Sequence, residues 1–204
     1  SHTPVLGLVK NTGKFKSWCQ GYCPPLCQRW KGGANGFVPT ESRMSAGPPP
    51  DQQLPTIRMR SPRRFLHPWI FQRLVEKPAQ KIPNGSLVKV VDPDGTIVGR
   101  ALYNGHSRIA LRMLTHDADR VVDGEFIRDR ISKAVALRRD ILNLGDQTNA
   151  WRLIHSEADS LSGLVVDRFD DLIVVEFFAF GMYRMRDFIL DCLREHFPNC
   201  RFYW

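Results

Sequence analysis

The chain has 204 residues, 43% of them hydrophobic and 25% charged, which allows one large globular domain or two small ones. It contains neither the run of about 20 apolar residues that a membrane helix needs nor an apolar core of signal-peptide length at its start. We therefore predict a cytoplasmic protein with no membrane partner. Residues 51–115 hold 11 Lys and Arg against 4 Asp and Glu, whereas residues 116–204 hold 12 against 16. A basic segment beside an acidic one predicts two modules, and the basic one favours nucleic acid, although a basic surface can serve solubility alone.

Residues 1–55 are rich in Gly, Pro, Ser and Lys and show no lasting periodicity, so we predict a disordered leader and linker. Met44, just ahead of the Pro-rich stretch, is an alternative start, which would place residues 1–43 outside the natural protein. The five cysteines do not indicate a disulfide framework. Cys19, Cys23 and Cys27 have a spacing that could serve zinc or an iron–sulfur cluster, but incidental reduced thiols are the favoured interpretation, so we predict no metal site.

Residues 56–122 predict a small β-barrel. Ile57 to Arg60 favours a short strand, and residues 65–75 favour a short helix in which Trp69 is part of the core. Leu87 to Val91 and Thr96 to Tyr103 predict a hairpin around the turn Pro93-Asp94-Gly95. Residues 108–114 alternate, which predicts a strand with Ile109, Leu111 and Met113 buried and Arg108, Ala110 and Arg112 exposed. Several short strands with tight turns are typical of a closed barrel.

Residues 123–204 predict an α+β domain. Asp123 is predicted to cap a helix in which apolar residues recur at helical spacing from Phe126 to Leu142. Gly145 is the predicted end of that helix. Strands are predicted near residues 151–154, 163–168 and 172–178, the last two as a hairpin, followed by a helix over residues 183–197. Residues 201–204 predict the beginning of another strand. Because an unpaired strand edge is an aggregation hazard, we expect the sequence to be a fragment that stops before its domain is complete.

The residues that favour chemistry are basic and aromatic. Arginines contact phosphates and aromatic rings stack on unpaired bases, so the arginines of the barrel predict RNA binding rather than a merely solvated surface. Glu157, Asp159 and Asp167 could form a carboxylate pair, but turn and ion-pair roles are the favoured interpretation. The predicted RNA-binding residues are Arg60, Arg63, Arg64, His67, Arg100, Arg108 and Arg112.

Two segments resemble one family. Residues 61–71, Ser-Pro-Arg-Arg-Phe-Leu-His-Pro-Trp-Ile-Phe, are similar to the R-x-x-H-P-W-[VI]-F opening of a PUA domain, and residues 85–109 fit its continuation. Residues 151–169 resemble the R-L-[IV]-x-x-E-x-D-G-L-P-G-L-x-[VI]-D-R-[FY] segment that opens a central α+β domain. Both belong to class I S-adenosylmethionine-dependent methyltransferases that modify cytosine C5 of bacterial 23S rRNA. Ser160 and Ser162 stand where that family has Gly and Pro, which predicts either an altered turn or a divergent member of the family.

The resemblance implies a division of labour. The PUA-like domain, residues 56–122, would hold ribosomal RNA, and the central domain, residues 123–204, would connect it to a Rossmann-like catalytic domain that this sequence does not contain. S-adenosylmethionine and the catalytic cysteine belong to that missing domain, so no catalytic or cofactor-binding residue is assigned here, and Cys192 and Cys200 are interpreted as packing or incidental residues. A homodimer of the full-length protein stays open.

Two other functions remain alternatives. The chain could be a non-catalytic PUA-type RNA-binding adaptor, or a metal-binding protein built on the N-terminal cysteines. The target nucleotide is not predicted by the sequence.

Overall fold

The structure is a computed structural model that describes residues 47–49, 51, 54–62 and 67–204. The predicted leader therefore lies almost entirely outside the described residues, and so do Arg63, Arg64 and the three N-terminal cysteines. Helices in the described ranges are all too short or too polar to cross a membrane.

The first half of the described chain folds into a five-stranded sheet. Its strands are β1 (Thr56–Arg58), β2 (Trp69–Phe71), β3 (Leu87–Val91), β4 (Ile97–Tyr103) and β5 (Ile109–Thr115), in the order β1-β3-β4-β5-β2. β1 pairs with β3 in parallel, and the other pairs are antiparallel. Met59 bridges Val75 across the two edges, and backbone hydrogen bonds flank this bridge, so the sheet closes on itself. The predicted small barrel is confirmed.

The barrel is packed from both sides. One core cluster fills its interior and includes Ile57, Val88, Val90, Leu111 and Met113. The predicted alternation of β5 is therefore wrong in part, because Ala110 is as buried as Leu111 and Met113. Ala110 belongs to the same interior cluster as Leu111 and Met113, and the pairing of β5 with β2 shifts register at this point, so the simple alternation is interrupted.

The predicted helix over residues 65–75 is wrong where the structure describes it. Residues 69–71 form strand β2, which pairs with β5, and only the 3₁₀ turn Gln72–Leu74 is helical. Pairing with a neighbouring strand satisfies the backbone here, with Gln72 N donating to Arg108 O at 2.9 Å. Trp69 is 36% exposed rather than part of the core.

The second half combines a four-stranded sheet with helices. After α1 (Gly124–Ala136) come β6 (Ala150–His155), β7 (Leu164–Phe169), β8 (Leu172–Phe177), α2 (Phe180–Arg184), α3 (Arg186–His196) and β9 (Arg201–Tyr203). The sheet order is β6-β7-β8-β9, with β9 parallel to β8. The predicted mixed α+β class is confirmed, and so is the β7–β8 hairpin.

The cap of α1 is confirmed, but the end of this helix is not. Asp123 Oδ1 accepts from Phe126 N at 2.8 Å. Beyond Ala136 the helix continues as a π-helical turn, Leu137–Ile141, which leaves Ile141 exposed instead of on the buried face. The chain then turns at Asn143, whose φ is 48°, and not at Gly145. Asparagine tolerates this left-handed conformation better than most residues.

The two halves share one hydrophobic core. Leu87, Leu102 and Leu114 of the barrel belong to the cluster that also contains the buried faces of α1, α3 and the second sheet. Gly181 of α2 lies so close to the barrel that a Cβ on it would come within 2.7 Å of the Leu102 side chain. The described residues are therefore one compact unit.

Candidate nucleic-acid interface

An open groove lies where β2 runs into its 3₁₀ turn. Phe71, Gln72, Arg73 and Arg108 line a depression of about 320 Å³ that is open to solvent. We call these four residues the groove. Phe71 is 40% exposed, and no carboxylate in the described part of the chain pairs with Arg73 or Arg108. An exposed ring that shares a depression with two guanidinium groups, neither paired with a described carboxylate, is suited to bases and phosphates.

Gln72 gives the groove its shape. Its Nε2 donates to Gly105 O at 3.0 Å, which ties the 3₁₀ turn to the loop between β4 and β5. Its backbone N–H donates to Arg108 O, as noted above. These two bonds fix the distance between the two walls of the groove, so the guanidinium groups project from a rigid frame.

Two of the predicted RNA contacts lie on the exposed barrel surface near β2. Arg60 is exposed, and its Nε donates to Val75 O at 3.0 Å. His67 is exposed as well, and its Nδ1 accepts from Trp69 N at 3.0 Å. Both side chains are accessible to a ligand.

Arg100 is placed differently from its prediction. It is only 4% exposed and forms a bidentate ion pair with Asp51, in which Nη2 lies 3.0 Å from Oδ2. Its Nη1 donates to Ala118 O at 2.6 Å. The hydrogen bond from Arg100 lowers the pKa of Asp51 to about 2. With its donors committed inside the protein, Arg100 stabilises the fold and is removed from the candidate interface.

Arg112 is likewise committed, at the contact between the two halves. Its Nη1 donates to Glu157 Oε1 at 3.1 Å and lies 3.4 Å from Ser162 Oγ. Its guanidinium also stands 5.3 Å from the centroid of the Trp69 ring, a cation–π contact. The same Glu157 oxygen accepts from Trp69 Nε1 at 2.6 Å. We call Trp69, Arg112, Glu157 and Ser162 the junction.

Glu157 is the centre of the junction. Burial opposes its ionisation, but hydrogen bonds from Ser156, Ser162 and Trp69 outweigh that effect and lower the pKa of Glu157 to about 2. The carboxylate is therefore ionised throughout the neutral range and accepts bonds from both halves of the chain. A negative group held in this way joins the two halves and does not act as a general base.

The other carboxylates considered from the sequence are structural as well. Asp159 pairs with Arg138 at 2.6 Å in a largely buried contact, and Asp167 pairs with Arg152 at 2.8 Å. Both carboxylates therefore have the ion-pair role that the favoured interpretation assigns to these residues. In the described ranges no cluster of His, Cys, Asp or Glu could hold a metal ion. Burial raises the pKa of the Cys192 thiol to about 11, which makes it unreactive.

The sequence reasoning missed most of the groove. Phe71, Gln72 and Arg73 were assigned to a helix, and only Arg108 was selected. A signal was present in the tripeptide Phe71-Gln72-Arg73, in which an aromatic residue lies two positions before a basic one, but its significance depends on Arg108 lining the same depression.

Neither the groove nor the small cleft between the two halves fits S-adenosylmethionine. Pockets for ligands of that size are enclosed volumes of roughly 300–1,000 Å³. The groove is open and walled by arginines, and the cleft between the halves, which Tyr103 and Phe180 help to line, holds only about 40 Å³. No described residue is therefore assigned to that cofactor.

Known proteins resemble this chain in sequence and in fold. A family model described as a PUA-like domain matches residues 62–116. Ribosomal RNA large subunit methyltransferase I of Alteromonas mediterranea is 35% identical over 140 residues, which cover 69% of this chain and 35% of that protein. Its counterpart in Aliivibrio fischeri is 31% identical over 140 residues, with the same coverage. A solved structure from Streptococcus mutans, described as a SAM-dependent methyltransferase, matches with a TM-score of 0.57 at 16% identity, over 72% of this chain and 39% of that one.

This chain spans about a third of the length of the curated relatives it matches. The structural likeness concerns the fold, whereas the sequence identity extends well beyond the matched domain. The chain therefore carries a PUA-like domain and is homologous over 140 residues to large-subunit ribosomal RNA methyltransferases.

Proposed function

We propose that this chain binds large-subunit ribosomal RNA and that it serves a methyltransferase that modifies cytosine C5 with S-adenosylmethionine. The observation that carries the RNA-binding part is the groove: an exposed Phe71 ring lines one depression with Arg73 and Arg108, which have no carboxylate partner among the described residues. The homology supplies the class of RNA. Cytosine C5 as the target atom and a cytoplasmic location follow from the family resemblance of the sequence.

The interface we propose differs from the predicted one by the loss of Arg100 and Arg112 and the gain of Phe71, Gln72 and Arg73. Arg60, His67 and the groove form it, and Arg63 and Arg64, which lie outside the described residues, remain proposed members. Arg100 and Arg112 are left out because Asp51 and Glu157 neutralise them. Contacts of this kind position an RNA through its phosphates and shape and do not read its sequence.

The test is binding of the 204-residue chain to a structured 23S rRNA fragment over a salt series. Each phosphate contact contributes close to one unit to the slope of log K against log salt concentration. We expect Arg73→Ala and Arg108→Ala each to weaken binding and to reduce that slope by about one. The matched control is Arg201→Ala, since Arg201 is an exposed arginine that pairs with Asp171 on the second sheet.

Two results would overturn the proposal. If neither groove substitution changes the affinity, the RNA-binding surface lies elsewhere on the protein. If the chain is folded by circular dichroism but does not bind the RNA at low salt, the proposed RNA-binding function is wrong. The methyltransferase part is tested separately, by the transfer of a labelled methyl group from S-adenosylmethionine to rRNA with the full-length gene product. A full-length product that binds rRNA but transfers no methyl group would favour the adaptor alternative.

A further inference from the structure

Three of the exposed aromatic side chains on the second half of the chain lie close together in sequence, after β8 and in α2. Phe178, Phe180 and Tyr183 are 63%, 50% and 44% exposed, and we call them the aromatic patch. The rings of Phe180 and Tyr183 stack, with centroids 6.3 Å apart and an interplanar angle of 21°. Apolar rings left in water forgo the free energy of burial, about 25 cal/mol per Å². Contiguous exposure of this kind is typical of a binding surface.

The aromatic patch is held rigidly against the barrel. Gly181 lies between its members, and its contact with Leu102 leaves no room for a side chain. Gly85 has a φ of +79°, and a Cβ there would lie 2.9 Å from both the Phe180 ring and the Arg184 side chain. The backbone of the barrel turn at Gly85 therefore packs directly against the Phe180 ring. Rings that are fixed in advance lose little conformational entropy when a ligand stacks on them.

Guanidinium groups accompany the rings, but the local charge is nearly balanced. Arg186 stands 4.9 Å from the centroid of the Tyr183 ring and pairs with Asp187 at 3.4 Å. Arg184 is exposed, and so is Glu176 on the neighbouring strand. Binding at the aromatic patch would therefore depend on stacking more than on charge, in contrast to the groove.

The aromatic patch is continuous with the groove through a chain of hydrogen bonds. Arg184 Nη1 donates to Asn84 O at 3.4 Å, and Asn84 Oδ1 accepts from Gly105 N at 2.9 Å. Gly105 O accepts from Gln72, a wall of the groove. The turns at residues 84–85 and 104–107 thus connect the two surfaces, and Asn104 and Ser107 line one small cleft together with Phe178 and Phe180.

We infer that the aromatic patch binds an unpaired stretch of RNA whose structured part lies in the groove, with bases stacked on Phe180 and Tyr183. Single-stranded nucleic acid combines these requirements: every base offers a ring face for stacking, and its backbone continues into the paired region. The inference rests on the proposed RNA function and adds to it the kind of RNA, a structured element with an adjoining single strand.

The experiment compares two RNAs on the 204-residue chain. One is a structured 23S rRNA hairpin, and the other is the same hairpin with a single-stranded extension of about four adenosines, near the lower site size of single-strand binders. We expect the extension to increase affinity about tenfold, and the double substitution Phe180→Leu with Tyr183→Leu to abolish that increase. The variant should bind the bare hairpin as the parent does, with an unchanged salt slope.

A matched control uses an exposed ring outside the aromatic patch. Phe169 pairs with Leu172 at one end of the β7–β8 hairpin, whereas Phe177 and the aromatic patch follow at the other end. Phe169→Leu should leave both affinities unchanged, and circular dichroism should report the fold of both variants.

The outcomes separate the inference from the proposed function. The inference is overturned if the parent chain binds both RNAs with equal affinity, or if the effect of the extension survives the double substitution. Either result leaves the groove proposal intact. The aromatic patch would then be assigned to binding a protein partner. If Arg108→Ala loses hairpin binding but the extension has no effect on the affinity of the parent chain, the inference is likewise overturned and the groove proposal is supported. No binding of either RNA by the folded parent overturns both.

Discussion

Arg108 and Arg112 lie on one stretch of chain and were predicted to share one role, yet the groove and the junction use them in different ways. Arg108 is exposed in an open groove, and no carboxylate among the described residues pairs with it. Arg112 is half-buried, bonded to Glu157 and placed over the Trp69 ring. The difference comes from a residue 45 positions away in the chain. A basic residue in a sequence signals charge, but only the fold decides whether the partner of that charge is a nucleic acid or the protein itself.

The largest effect that would sharpen this comparison is expected from Glu157→Ala. The substitution leaves Arg112, Trp69 Nε1 and Ser162 Oγ without their common acceptor, in a place where water has limited access. We expect the free energy of unfolding to fall by about 3 kcal/mol, as measured by urea denaturation. Glu195→Ala is the control, because the pair of Glu195 with Arg128 is exposed and should cost less than about 1 kcal/mol. A similar cost for both variants would show that the junction does not stabilise the protein.

Arg112→Ala and Arg108→Ala form the direct test of the two regions. Arg112→Ala removes a half-buried partner of Glu157, so we expect a loss of about 2 kcal/mol in unfolding free energy. Arg108→Ala touches an exposed side chain and should change stability by less than about 0.5 kcal/mol. RNA affinity should show the reverse order, with the larger loss for Arg108→Ala. If the two variants weaken RNA binding equally and leave stability unchanged, the distinction drawn here is wrong.

Acid should weaken the contacts of the committed arginines. The pKa of Glu157 and of Asp51 is about 2 in the folded chain, against ordinary values of 4.5 and 3.8. A depressed pKa in the folded state means that the ionised carboxylate favours folding, so this stability is present above about pH 5 and is lost as the pH falls toward 2. The urea midpoint should decrease over that window. Glu157→Gln, which does not titrate at this site, should lose a smaller part of its stability there, and an unchanged pH profile would contradict the assignment.

The smallest effect is expected at Ser160, where the sequence departs from its family. Ser160 adopts a φ of 59°, the left-handed conformation that glycine takes without strain. The serine therefore raises the conformational free energy of the turn rather than changing its backbone conformation. Relief of that strain, less the entropy of a freer unfolded chain, should make Ser160→Gly more stable by about 0.5 kcal/mol. Thermal unfolding would measure the gain, and Ser160→Ala, which keeps the strain, should show none.

Ser162, the second departure, was not identified as functional from the sequence. It is buried, and its Oγ donates to Glu157 Oε1 at 2.7 Å, so it contributes to the low pKa of that carboxyl. Proline at this position could not make the bond. The sequence shows only that Ser162 replaces the proline of the family. The structure shows that this serine adds a hydrogen bond to Glu157 within the junction.

Local patterns predicted much of the architecture. The hairpin β3–β4, the cap at Asp123 and the hairpin β7–β8 follow from turn residues, side-chain capping and alternation, which act over a few residues. The helix predicted over residues 65–75 failed because β2 is held by pairing with β5, a contact about 40 residues away that no local period reveals. The predicted end of α1 at Gly145 was wrong for a different reason. Asn143 can also adopt the left-handed conformation that ends a helix, and the local sequence does not decide between the two residues.

The sequence by itself determined the class of protein: a basic β-barrel followed by an α+β unit, with motifs that resemble an rRNA methyltransferase family. Composition, turn chemistry and motif spacing are properties of neighbouring residues, and they are readable without coordinates. The tertiary structure alone decided which arginines face solvent, that Phe71 and Arg73 join Arg108 in a groove, and that Trp69 and Glu157 bind the two halves together. These facts depend on which distant carboxylates and rings come within hydrogen-bonding distance, and the electrostatic free energy of a charged group is set by those neighbours.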